Sequence, residues 1–423
     1  MHLKDVLAGP TCNPFVKRRP LLAVPQDPVC GIARGRRLML AGAMLLSLVG
    51  QAWLSSPATA AHRRYSLPHV VKRLPVEDAG TVEIEPGNSR ILVTEYPPAG
   101  LPGPPVREGL RVLDPRTYRT VAFFSYPGGS SNVAFYRSHA YVVVGKGKLL
   151  EIDTHTLRIV ATRELGTGNV TQTIAINPRT GRLYVTVYEA SVAVFDLKTL
   201  RRTGTLAVGS DSVVVDTARN EIWASDYSAG SVEVFSGRTG RRLHTINIGA
   251  HAIPANCSTN CKVIPAGTDG VAVDMATDTV YADNTNSSQI VVIDGRTYKP
   301  IHYYQGAEPG SFWPAVDERR TTAYSIEDQE SSLSVLTGQK GALRGAVSVG
   351  VPEGPAGCDI FGYENTCTHG GSAPQGVAVN EETGYIYVGD SGDAAFVYSK
   401  IYLPPVAQGE LVVLAPGHWV NSH

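Results

Sequence analysis

The sequence predicts an all-β protein, a seven-bladed β-propeller of four-stranded antiparallel blades. Three observations predict it. A 15-residue pattern of strand, polar turn and strand occurs seven times, an alternating strand phrase falls between its copies, and the bare spacing of copies is near 40 residues.

The pattern is clearest at 270–284, GVAVDMATDTVYADN, and 376–390, GVAVNEETGYIYVGD. It returns as TVEIEPGNSRILVTE (81–95), TIAINPRTGRLYVTV (173–187), SVVVDTARNEIWASD (212–226) and WPAVDERRTTAYSIE (313–327), with a shortened copy, NVAFYRSHAYVVV, at 132–144. Each copy joins two short apolar strands through about five polar residues, and its twelfth place is aromatic or aliphatic. The intervening phrase, as in LLEIDTHTLRIVATREL (149–165) or IVVIDGRTYKPIHYY (290–304), alternates with period two, ends a strand near Asp and turns through Thr. Alternation bounded by turn residues is the signature of strands, and no helical period competes with it.

Ring closure can be read from the ends. After the last copy, GELVVLAPG (409–417) supplies a third strand but no fourth follows, whereas HVVKRLPVEDAG (69–80) precedes the first copy and reads as a fourth. The N-terminal segment is therefore expected to complete the seventh blade. The propeller spans 69–416, with a linker at 62–68 and a tail at 417–423.

The second strands LYVTV (183–187) and YIYVGD (385–390), the VxVxD third strands and the T-x-x turns make the chain resemble the YVTN-repeat, or YncE-like, propellers. The resemblance covers about 69–416 and implies the fold. Tyr184-Val185-Thr186 carries most of the YVTN word, and Val187 stands where its Asn would be. Lactonases, streptogramin lyases and quinoprotein dehydrogenases share the architecture. The Trp-containing repeat of the quinoproteins is not evident, so no quinone cofactor is implied.

Four insertions interrupt the rhythm: 96–107, 250–268, 350–374 and 391–408. In an antiparallel blade the end of the second strand and the start of the first share one face, so all four are expected on one side of the ring. Longer loops carry function more often than tight turns, and this face is the expected binding face. The alternative is that the inserts plug the pore or cap the joint between blades.

The last residues of the seven copies are Glu95, Val144, Val187, Asp226, Asn284, Glu327 and Asp390. Glu95, Asp226, Asn284, Glu327 and Asp390, together with Trp313 at the pore mouth, form the candidate ligand-binding set. Asp226, Glu327 and Asp390 are the candidate metal ligands, since hard oxygen donors suit calcium or magnesium or a ligand's ammonium group. The competing reading is local: Asp and Asn at strand ends satisfy turn amides. His251 and His369, both in inserts, are the candidate general bases of an enzyme. No GxSxG, HExxH or phosphate-binding glycine loop occurs.

The first 61 residues differ in kind. Arg36-Arg37 precedes an apolar run, 38–54, followed by SSPATAA, the parts of a secretory signal with cleavage near Ala60 and a loose twin-arginine order. A membrane anchor is the alternative, though the run is short of the ~20 residues a span needs. Seven Lys or Arg and two Asp or Glu lie in this leader, leaving 31 basic and 36 acidic residues beyond it. That balance argues against a nucleic-acid partner.

Four cysteines remain in the exported part, Cys257, Cys261, Cys358 and Cys367. Outside the cytoplasm they are expected as disulfides, 257 with 261 and 358 with 367 being favoured among three pairings. Zinc would need a CxxC-like rhythm that CSTNC and CDIFGYENTC lack. The sequence thus suggests an exported monomer that binds a small molecule, a glycan or an envelope protein on its insert-bearing face. Its rivals are a metal-assisted hydrolase or lyase at the pore mouth, and a purely structural envelope protein.

Overall fold

The computed structural model describes residues 63–95, 107–167, 173–187, 190–249, 267–285, 289–305, 311–327, 331–350, 372–393 and 409–421. Residues 1–62, the candidate histidines His251 and His369, and Cys257, Cys261, Cys358 and Cys367 lie outside them. The described residues form seven four-stranded antiparallel sheets arranged as a propeller ring, with no α-helix and no helix able to cross a membrane.

The innermost strands are Ala79–Ile84, Ala134–Tyr136, Ile174–Asn177, Val213–Asp216, Val271–Asp274, Ser311–Asp317 and Ser372–Val379, numbered here as blades 1 to 7. They surround a central channel. Three further strands follow outward in chain order in blades 1 to 6. In blade 7 the outermost strand is His69–Pro75, antiparallel to Glu410–Ala415, with Val70 opposite Leu414 and Leu74 opposite Leu411. The first strand of the domain therefore completes the last blade, as the sequence led us to expect.

Closure goes further than that. Arg63–Ser66, expected as linker, pairs antiparallel with His418–Asn421, expected as tail, in a separate two-stranded sheet. Its anchor is aromatic: Tyr65 meets Trp419 edge-on at 5.3 Å, and the Arg344 guanidinium of blade 6 lies over the Trp419 ring at 4.7 Å. Such contacts hold the strands where four-residue lengths alone would not.

The twelfth place of each copy is the wedge between sheets. Leu92, Tyr141, Tyr184, Trp223, Tyr281, Tyr324 and Tyr387 occupy it, and all are buried. Each apolar cluster draws on adjacent blades; one joins Trp223, Val232 and Val234 of blade 4 to Val271, Val280 and Val291 of blade 5. Burial of such side chains contributes about 1.5–3 kcal/mol each, which is why a ring of small sheets can stand without helices.

The Thr turns have an equally local cause. Asp114, Asp153, Asp196 and Asp294 each accept the backbone N–H of the Thr three residues on, and in the first three the Thr hydroxyl donates as well. These bonds favour the ionised form and hold the four carboxyls below their usual range. Tyr118, Leu157, Leu200 and Tyr298 then take left-handed φ values of 51–58°, reversing the chain.

Candidate functional site

The long connections join strand ends that share one face, as the topology requires: Glu95 to Gly109, Asn247 to Val271, Ser348 to Ser372 and Asp393 to Glu410. This face is the mouth of the channel, since the inner strands start there. The channel holds about 370 Å³, within the range of small-molecule clefts.

Its upper layer comes from the first place of each copy. Thr81, Asn132, Thr173 and Ser212 put short polar side chains there, and these lace the blades together. Ile174 N–H donates to Asn132 Oδ1 at 2.8 Å, Val213 N–H to Thr173 Oγ1 at 3.0 Å and Val271 N–H to Ser212 Oγ at 3.3 Å, each bond crossing from one blade to the next. The fourteenth place supports the layer from behind. Thr94, Thr186 and Ser225 accept the first-place N–H of their own blades at 2.8–2.9 Å.

Blade 5 changes this design. Its first place is Gly270 and its fourteenth is Asp283, which accepts Gly270 N–H at 2.6 Å, while Asp283 Oδ2 and the backbone nitrogen of Trp313 crowd around Gly270. Asp283 is fully buried, and burial, reinforced by the neighbouring Asp269 carboxyl, pushes its pKa well above the usual carboxylate range. A Cβ at Gly270 would lie 2.7 Å from Asp283 Oδ2, Pro314 Cδ and Trp313 N, so only glycine admits this approach. Trp313 itself sits at a bulge with φ 54°, a left-handed conformation rare for a bulky residue. Trp313 lines the channel, and its backbone is packed against Gly270 and Asp283 of blade 5.

The middle layer is the third place of the copies. Val214, Ala272, Ala315 and Ala378 form an apolar belt, interrupted by the half-buried Glu83. Asn132 Nδ2 donates to Glu83 Oε1 at 3.3 Å. Burial pushes the Glu83 carboxyl up to about 8, the Asn132 bond pulling weakly the other way. At neutral pH it is therefore mostly protonated.

Glu318 and Glu381 line the opposite end, beside the short turns. Met275 N–H donates to Glu318 Oε1 at 3.1 Å, and the Glu318 amide bonds the Glu381 carboxyl. Both pKa values are raised, by burial first and then by each blade's neighbouring acids.

Among the residues singled out from sequence, Trp313 lines this channel. The five end residues stand one to a blade, and Glu95, Asp226 and Glu327 spend their oxygens on nearby groups. Glu95 is buried in a two-bond pair with Arg111, whose Nη2 donates at 2.9 Å. Asp226 accepts Ser228 Oγ at 2.9 Å and Ala229 N–H at 3.0 Å, a local turn of the kind the competing reading describes. Glu327 accepts Ser334 Oγ at 2.5 Å, and Asn284 and Asp390 are fully buried at their strand ends. Among the described residues no three His, Cys, Asp or Glu side chains are grouped to hold a metal ion, Asp226, Glu327 and Asp390 included. These three belong to blades 4, 6 and 7.

Glu83, Asp283 and the Glu318–Glu381 pair escaped the sequence reading. Glu83 had a visible signal, because the third place is Ala or Val in the other six copies. No protein-family model matches the chain, and no curated protein matches it either.

Proposed function

We propose that this is an exported binding protein that takes a small ligand into its central channel from the insert-bearing face. The observation that carries the reading is Trp313, in a left-handed conformation at the channel mouth with its backbone packed against a buried carboxyl and a glycine of the neighbouring blade. Strained, over-determined residues of this kind gather at ligand sites. The polar mouth, apolar belt and lone carboxyl below it match the usual anatomy of small-molecule sites, apolar walls with a few placed polar groups. The seven-sheet frame supplies rigidity, so the ligand meets a preorganised cleft.

The test uses residues 61–423, whose tryptophans are Trp223, Trp313 and Trp419. Trp223 is fully buried and Trp419 lies in the terminal clasp, so a ligand in the channel reports through Trp313. A compound library screened by thermal shift should yield binders that change tryptophan emission, and Trp313→Phe should remove that change. Binders that leave the emission of Trp313 untouched would place the site elsewhere.

A further inference from the structure

Resting on that reading, we infer that the ligand is a small organic ammonium ion, its nitrogen against Glu83, its alkyl body in the Val and Ala belt and Trp313 over it. The charges of the channel point this way. Its titratable lining residues are Glu83, Glu318 and Glu381, and no Lys, Arg or His lines it among the described residues. An anion would enter a low-dielectric space with three carboxyl groups and, among the described residues, no counter-charge.

Glu83 is the group placed to answer a cation. Among the described residues its one hydrogen-bond partner is Asn132, at Oε1, and Glu83 lines the channel. Asn132 cannot turn to offer a better bond, because Ile174 N–H holds its Oδ1 at 2.8 Å. A carboxyl set among Val214, Ala272, Ala315 and Ala378 is costly to ionise alone, and a cation at hydrogen-bond distance offsets that cost.

Two features favour an organic ion over a metal ion. The belt offers methyl groups, which suit an alkyl body and give a hydrated metal nothing to coordinate. Trp313 offers an aromatic face, which attracts ammonium groups. Association then follows a balanced step: the ammonium pairs with the Glu83 carboxylate, and the proton that Glu83 carried leaves to solvent. The other titratable groups facing the channel, Glu318 and Glu381, lie at its far end. Asn132, bonded to Glu83, and Thr81, two residues before it, are neutral.

Calorimetry on residues 61–423 tests this with choline, ethylammonium and putrescine, with acetate, and with the neutral isostere of choline that carries a tert-butyl group. Runs near neutral pH in two buffers of different ionisation enthalpy read the proton count. Choline should bind about tenfold or more tighter than its isostere, with close to one proton released per site. Glu83→Gln should remove most of that preference and leave the isostere within about twofold. The wild-type proton count needs no variant, so it decides even if Glu83→Gln folds poorly.

Equal binding of choline and its isostere, or no proton release, would overturn the ammonium assignment. If the neutral or anionic probes still alter Trp313 emission, the channel remains the site. Should no probe of any charge bind or change the emission, both readings fall together.

Discussion

Asn132 donates through Nδ2 to Glu83 Oε1 at 3.3 Å while its Oδ1 accepts Ile174 N–H at 2.8 Å, so one side chain links blades 1, 2 and 3. Both ends of the amide are thereby assigned. The orientation of the donor toward Glu83 is a consequence of the backbone of blade 3.

Asn132→Asp keeps the acceptor for Ile174 and removes the donor to Glu83, placing a second carboxyl beside the first. We expect a loss of about 1–3 kcal/mol, larger at pH 8 than at pH 5 because ionisation sets like charges together. Thermal unfolding at the two pH values measures it.

Glu83→Gln tests the titration of the channel carboxyl. Its folded pKa is raised to about 8 from 4.5, so the folded state holds a proton that the unfolded state releases. The associated stability is full below about pH 4.5 and is lost as pH rises through about 8, up to roughly 5 kcal/mol in all. The Gln variant should show a flatter profile across that window and should exceed the wild type at its alkaline end. Denaturant unfolding across the pH series reads the difference.

Asp283 should tolerate an amide better than a truncation. Asp283→Asn keeps an acceptor for Gly270 N–H and stays neutral, as the raised pKa of the acid implies. Its cost at pH 7 should be under about 1 kcal/mol, whereas Asp283→Ala strands the buried Gly270 N–H and should cost about 2–4 kcal/mol. Trp313 emission should shift in the Ala variant, since the carboxyl packed with the Trp313 backbone around Gly270 is removed.

Removal of residues 63–75 takes away both the outer strand of blade 7 and one half of the terminal clasp. The edge of Glu410–Ala415 is then bare, and the ring should lose cooperative unfolding or aggregate. Light scattering and calorimetry distinguish those outcomes from a small shift in Tm, which would show that closure is dispensable.

The scaffold was legible because its signals repeat. GVAVD and its relatives recur in register, and the twelfth-place aromatic that wedges the sheets apart recurs with them. The clasp was not, since RRYS and HWVN are four residues each and owe their pairing to Tyr65, Trp419 and Arg344 across the whole chain. Trp313 could be placed at the mouth from its position, but its left-handed backbone depends on Gly270 and Asp283 of another blade. Asp226 shows the opposite difficulty: a strand-end Asp that caps its own turn and one that binds a ligand are written identically. Glu83 carries its own sign in the sequence, since a charge in the third place breaks a pattern of Ala and Val.

The pairing of His69–Pro75 with Glu410–Ala415 also sets a timetable. Arg73 bonds Glu410, 337 residues later in the chain, so at ~5–20 residues per second the strand made first waits roughly 15–70 s for its partner to be synthesised. During that delay it is an orphan edge. Its Lys72, Arg73 and Pro75 are residues that discourage mistaken strand pairing, and they suit a segment that must remain uncommitted until the last sheet exists.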